Sequence, residues 1–188
     1  DMKDMPQAYD RFFVETWVDS ALKSFTSRNF KVIGETGHVY GYGKSVWAMI
    51  DLDTRQPADI LAVRGGLITE YIETEYSCPI EKSSRVKMSA DATPVRSIDT
   101  YYNDVDINGH INSVKYIEHM LDLWDVAWYK QHRIKRFEIA YVAESHQGDK
   151  LHFYREQRET ETDFNVRITK SNVEREEKEV CRCRVQFV

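Results

Sequence analysis

No apolar run in this chain approaches the roughly 20 residues that a membrane-spanning helix needs, and its first residues carry no signal-peptide pattern. The expectation is a soluble, cytoplasmic protein with no membrane partner. Cysteine is scarce: Cys78, Cys181 and Cys183 make an odd count, which excludes a simple disulfide framework. The last two stand two residues apart, where a strand would turn both to one face as reduced, packed thiols. Neither sign of charge dominates, since 26 Lys and Arg are mixed with 31 Asp and Glu along the chain, and no basic stripe marks a nucleic-acid partner. An initiator methionine is also missing, because the chain opens at Asp1. A fragment of a longer product is therefore expected.

What is present suffices for a packed core. The chain has 188 residues, 41% hydrophobic and 12% aromatic, which is material for one large or two small domains. Three strand candidates rich in β-branched and aromatic residues, 10–20, 25–33 and 39–52, come first, with Glu35, Thr36 and Gly37 as the turn between the last two. No helix pattern lies among them. Residues 53–92 then turn mostly polar and read as an inter-domain connection with one short helix near 67–75.

After a strand at 95–102 comes the most pronounced helix pattern of the chain. Val114, Ile117, Leu121, Trp124 and Trp128 recur at spacings of three and four, and Met120 and Leu123 widen the apolar face. Asn112 is the natural N-cap, and Lys130, His132 and Arg133 suit the C-terminal end of the dipole. A single helix through this region would be about 27 Å long. Strand candidates at 135–145, 149–158, 163–171 and 179–188 could wrap it, the last with Cys181, Cys183, Val185 and Phe187 on one face and Arg182, Arg184 and Gln186 on the other. One long helix against a mostly antiparallel sheet is an α+β architecture.

A weak internal repeat follows, because the strand order of residues 10–52 parallels that of 149–188, with SRNFKVIGETG and DFNVRITKSNVE as corresponding hairpin arms. The expected organisation is a partial first domain at 1–52, a linker at 53–92 and a second domain at 93–188. As a copy of the second, the first lacks its opening strand, its helix and the strand after that helix. Roughly half a domain is thus expected before Asp1, an expectation that a natural product near 22 kDa would contradict.

Polar chemistry concentrates at the helix entrance, DVDINGHIN, residues 104–112. The run begins like a calcium loop, but its twelfth position is Lys115 where a bidentate Glu is required. Helix capping explains one or two of these residues. It does not explain Asp106, Asn108, His110 and Asn112 at every second position, which an extended lead-in would align along one side. Glu144 closes the strand after the helix, where a solvated carboxylate is the commoner case and a general base facing the helix start the alternative. His119, His132, His146 and His152 have no metal-ligand spacing and suit surface or capping roles. The basic run Lys130, His132, Arg133, Lys135 and Arg136 is most simply a helix C-terminus, and an acidic carrier domain is the other reading.

NDVDINGHINSVKYIEHMLD resembles the signature of the acyl-acyl carrier protein thioesterases, in which a D-x-N-x-H run enters the central helix of a hot-dog fold. ETWVDSALKSFTSRNF and SVWAMIDLDTRQPADI are similar to the first hot-dog domain of the same family. The resemblance covers nearly the whole chain. It implies a tandem hot-dog, here without the helix of its first domain, and a hydrolase of fatty-acid synthesis that releases a free fatty acid from acyl carrier protein. The partner would carry the acyl chain on phosphopantetheine. Carried over residue by residue, the catalytic set falls on Asp106, Asn108, His110 and Glu144, with no metal or organic cofactor. Plant members have a cysteine after that Glu, whereas this chain has Ser145, which favours a carboxylate-driven mechanism. Glu144 would activate water, Asp106 would orient that water or attack directly, and an apolar channel beside the helix would take the acyl chain. Acyl-coenzyme A hydrolysis on the same fold and a non-catalytic acyl-binding protein are the competing functions. Homodimer and monomer both stay open, since tandem domains can bury inside one chain the surface that single hot-dogs use to dimerise.

Overall fold

A computed structural model describes residues 1–171 and 177–188. The chain divides into two compact units, Asp1–Lys82 and Ser83–Val188, so that residues 53–92 are shared between them.

The first unit is a three-stranded antiparallel meander of β1 (Phe12–Leu22), β2 (Phe25–Gly34) and β3 (Val39–Ala48). Its β2–β3 turn depends on Gly37, whose φ of 87° is open to glycine and strained for most other residues. A bulge between Val18 and Ser20 lets Asp19 reach across the sheet. The carboxylate accepts hydrogen bonds from Asn29 Nδ2 at 3.0 Å and Lys44 Nζ at 2.8 Å. Among the described residues this unit contains no α-helix. The helical segment expected near 67–75 is instead a pair of 3-10 turns over Ile60–Tyr71, broken by non-helical backbone from Val63 to Gly66. Paired glycines cause the break, since both adopt positive φ.

The second unit holds the core. Its antiparallel sheet has the order β4 (Arg96–Asp99), β6 (Lys150–Gln157), β7 (Asp163–Ser171), β8 (Glu177–Phe187), β5 (Ile134–Tyr141). The alternation anticipated for the last strand holds: Cys181, Cys183, Val185 and Phe187 are buried and join Leu151, Phe153, Phe164, Val166 and Ile168 against the helix. Full burial of each such side chain stabilises the fold by about 1.5–3 kcal/mol. The turn of the second hairpin arm, SNVE, runs into residues 172–176, which lie outside the described residues. Across the opposite, polar face of the sheet runs a strap. Ser84 donates from N and Oγ to Glu138, Lys87 O accepts from Asn165 Nδ2, and Ser89 N donates to Glu156.

The helix is shorter than its apolar stripe. It comprises α1 (Ser113–Leu121), with Asn112 Oδ1 accepting from Val114 N at 2.9 Å as the expected N-cap, and a separate turn, α2 (Val126–Tyr129). Asp125 interrupts the run because its carboxylate accepts from Trp128 N at 2.8 Å and so caps a new helix. Side chains take the carbonyls freed at the end of α1: Tyr129 Oη donates to Leu121 O, Arg96 to Asp122 O and Arg155 to Leu123 O. The buried stripe is also rotated from the expected one. Tyr116, Met120 and Trp124 point into the core, whereas Val114 is 52% exposed. Spacing by four from Tyr116 puts the largest rings on the sheet and leaves the smaller Val114 outside.

Candidate active site

The entrance to α1 is a closed hairpin. Val105 bridges Ile111, Asp106 N donates to His110 O at 2.8 Å and Gly109 N to Asp106 O at 3.1 Å. Gly109 supplies a φ of 81° at the turn, and open space around it makes this requirement conformational and not steric. Asp106 Oδ1 accepts from the backbone N–H groups of Asn108, at 2.8 Å, and His110, at 3.3 Å. The alternating polar positions therefore do not line one side of an extended segment, because the loop folds back on itself. Asn108 is exposed at its tip, and Asp106 and His110 are half-buried beneath.

Glu144 meets this loop from the segment that follows β5. β5 ends at Tyr141, so Glu144 stands beyond the strand, where Val142 and Ala143 both donate to Val180 O and curl the chain away. One hydrogen bond then sets the register, from Ile111 N to Ser145 O at 2.8 Å. The preceding residues on both segments face each other as a result, with His110 Nε2 3.4 Å from Glu144 Oε2. The loop that carries Glu144 is held by Thr100, whose Oγ1 donates to the carbonyls of His146 and Asp149 and accepts from Gly148 N, and by Asp149, which accepts from His146 N. A carboxylate about half exposed and an imidazole about a quarter exposed thus face each other on two pinned loops.

Three further residues surround this site. Asp104 is buried and ties the loop together: one carboxylate oxygen accepts from Tyr101 N, the other lies 3.4 Å from His119 Nε2, and its carbonyl accepts from Asn112 N. Its place at the head of DVDINGHIN was a signal. His146 stacks edge-on against His110 with ring centroids 5.0 Å apart. Tyr116 lies beneath the loop, and burial pushes its phenol up to about 12, so it is a neutral hydrogen-bond donor throughout the physiological range. The fourfold spacing to Met120 and Trp124 could have found it. The other histidines serve locally: His152 joins Ser97 and Ser171, and His132 stacks on Trp128 at 3.8 Å.

Two clefts, of about 370 and 460 Å³, flank the strap and are lined by Arg85 and Lys87 together with Arg167, Arg182 and Glu179 on one side and Glu156, Arg158 and Glu159 on the other. Their charged walls do not match the apolar channel expected beside the helix.

Comparison with known proteins agrees with this architecture. The family model for the acyl-ACP thioesterase C-terminal domain matches residues 71–188, and that for the N-terminal domain matches residues 1–63. An acyl-ACP thioesterase of Bacteroides thetaiotaomicron superposes with a TM-score of 0.89 at 45% identity, over 100% of this chain and 72% of that one. The 12:0-ACP thioesterase of Umbellularia californica shares the fold at 20% identity, with a TM-score of 0.82 over 100% of this chain and 71% of its own. Palmitoyl-acyl carrier protein thioesterase of Arabidopsis thaliana is 30% identical over 135 residues, 70% of this chain and 33% of the plant protein. The chain spans about a third of the length of the curated plant relatives it matches. Matched in both its units and carrying a helix wrapped by an antiparallel sheet in the second, the chain belongs to the acyl-ACP thioesterase family and has its hot-dog fold.

Proposed function

We propose that this protein hydrolyses the thioester of an acyl group carried by acyl carrier protein and releases the free fatty acid. The observation that carries the reading is the His110–Glu144 contact of 3.4 Å, made by two loops 34 residues apart and joined by the Ile111–Ser145 hydrogen bond. Family membership supplies the substrate class.

In this reading Glu144 is the general base. It takes a proton from water as the water oxygen attacks the thioester carbonyl, and His110 holds the carboxylate in line. The oxygen that becomes negative is stabilised by donors at the α1 entrance, with the exposed amide of Asn108 closest to solvent. Collapse of the tetrahedral intermediate breaks the carbon–sulfur bond, and the proton held by Glu144 passes to the departing thiolate. Asp106, with one oxygen engaged by two backbone N–H groups, fixes the loop and orients the water. The phosphopantetheine arm of the carrier presents the thioester, and a cytoplasmic setting suits the free thiols of Cys78, Cys181 and Cys183.

The test is turnover of matched carrier-protein and coenzyme A thioesters across acyl lengths, with Asp106→Asn and Glu144→Gln alongside. Carrier-protein substrates should be preferred, and each variant should lose about 10²–10⁴-fold in kcat. Faster turnover of the coenzyme A thioesters would reassign the substrate. Absence of any thioester hydrolysis by the wild-type protein would sink the enzymatic reading.

A further inference from the structure

Ser145 sits next to the proposed base and is wholly buried, at 0% exposure. Its carbonyl is committed to Ile111 N, while its hydroxyl has no hydrogen-bond partner. The Tyr116 hydroxyl is in the same condition, on a side chain only 3% exposed. The two groups lie side by side, without closing a hydrogen bond in this geometry. Tyr116 projects from the first turn of α1, and its ring rests against Tyr141, with centroids 6.2 Å apart. Tyr141 in turn donates to Ser113 O at 3.1 Å. Two buried hydroxyls without a hydrogen bond each forgo solvation uncompensated, and a small rotation that joins them is the simplest resolution.

We infer that Ser145 and Tyr116 act as a buried hydroxyl pair that positions Glu144 against His110, and that Ser145 takes no covalent part in the reaction. The pair couples the helix to the loop of the base, one residue from the carboxylate that must be aimed. A hydroxyl closed off from solvent by its own packing has no path to an acyl carbonyl. Both residues are thus positioning residues, and the inference rests on the function proposed above.

The experiment compares Ser145→Ala, Tyr116→Phe and the double variant in the full chain, by kcat, KM and unfolding midpoint. Each single variant should lower kcat about 10-fold with KM unchanged, which corresponds to about 1.4 kcal/mol. The double variant should be no slower than the worse single one, because the pair acts as a unit. Ser145→Cys, which keeps a weak donor at nearly the same volume, should restore part of kcat and supplies the readout where Ser145→Ala fails to fold. A loss of 10⁴-fold or more in Ser145→Ala, with an acyl adduct found on Ser145 of the wild type, would make it the nucleophile and overturn the inference. Multiplicative losses in the double variant would do the same, as would lowered midpoints with wild-type kcat, which mark a structural role alone. Inactive wild-type protein, by contrast, defeats the proposed function before the pair is reached.

Discussion

Two meanders with the same connectivity meet different fates in this protein. In β6–β7–β8 one face is covered by α1, and Leu151, Phe153, Val166, Ile168 and Val185 reach 0% exposure. In β1–β2–β3 no α-helix is present among the described residues, and Phe12, Phe13, Leu22, Val46 and Trp47 stay half-exposed or more, with Phe25 just below half. The centre of the first meander is polar instead, with Asn29 wholly buried and bonded to Asp19. A meander alone therefore provides pairing but no dry core. The helix provides the core, and its N-terminus carries the candidate site, so packing and the proposed chemistry share one element of the second unit.

Truncating the helix side of that core should have the largest effect. Met120 is 0% exposed at the centre of the cluster, and Met120→Ala should cost about 2–5 kcal/mol in denaturant unfolding. A cost below about 1 kcal/mol would mean that the helix is not what distinguishes the two meanders.

Charge gives the next contrast. Glu138 pairs with Arg136, both side chains less than a tenth exposed, and Ser84 donates to it twice. Burial pulls the Glu138 carboxyl up, but the Ser84 bonds and the Arg136 guanidinium outweigh it and hold the group below its ordinary 4.5. Asp19 is also lowered from 3.8, chiefly by its hydrogen bond to Lys44, yet that pair is about a third exposed on both sides. Both folded-state values are depressed, so each contribution is present above the ordinary carboxylate range and is lost as pH falls through the folded-state value. Glu138→Gln should cost about 3 kcal/mol at neutral pH, shrinking as the pH falls from the ordinary 4.5 through the lower folded-state value. Asp19→Asn should stay within about 1 kcal/mol. Equal pH profiles for the two variants would erase the contrast.

Much of this was legible in the chain itself. Among the described residues each strand overlaps an expected one, and β7 spans the anticipated 163–171, because a half-buried sheet writes its period directly into residues such as Cys181, Arg182 and Cys183. Helix length was not legible, since the apolar stripe continues through Asp125 and only the cap geometry shows the break. Tyr116 was obscured for a related reason, as a polar tip on an apolar ring beside the more obvious Val114 and Ile117. Asp106, Asn108 and His110 stood out because they recur at every second position of one short segment. Their meeting with Glu144 depends on a long-range register through Ile111 and Ser145, which no local period encodes.

The smallest expected effect bears most directly on the first meander. Val46 and Trp47 are 69% and 60% exposed, and Trp47 lies in the rung Ala21, Thr26, Trp47, beside the rung of Leu22, Phe25 and Ala48. A side chain that remains in water contributes little when it is removed, so Trp47→Ala should change stability by no more than about 0.5 kcal/mol. The informative control is protein concentration. A neighbouring set of exposed apolar side chains is the kind of surface that associates, and an unfolding midpoint that rises with concentration in the wild type but not in Trp47→Ala would show that this end is covered in solution. The contrast would then lie in what covers each meander, α1 for one and a second molecule for the other, and no longer in whether it is covered at all.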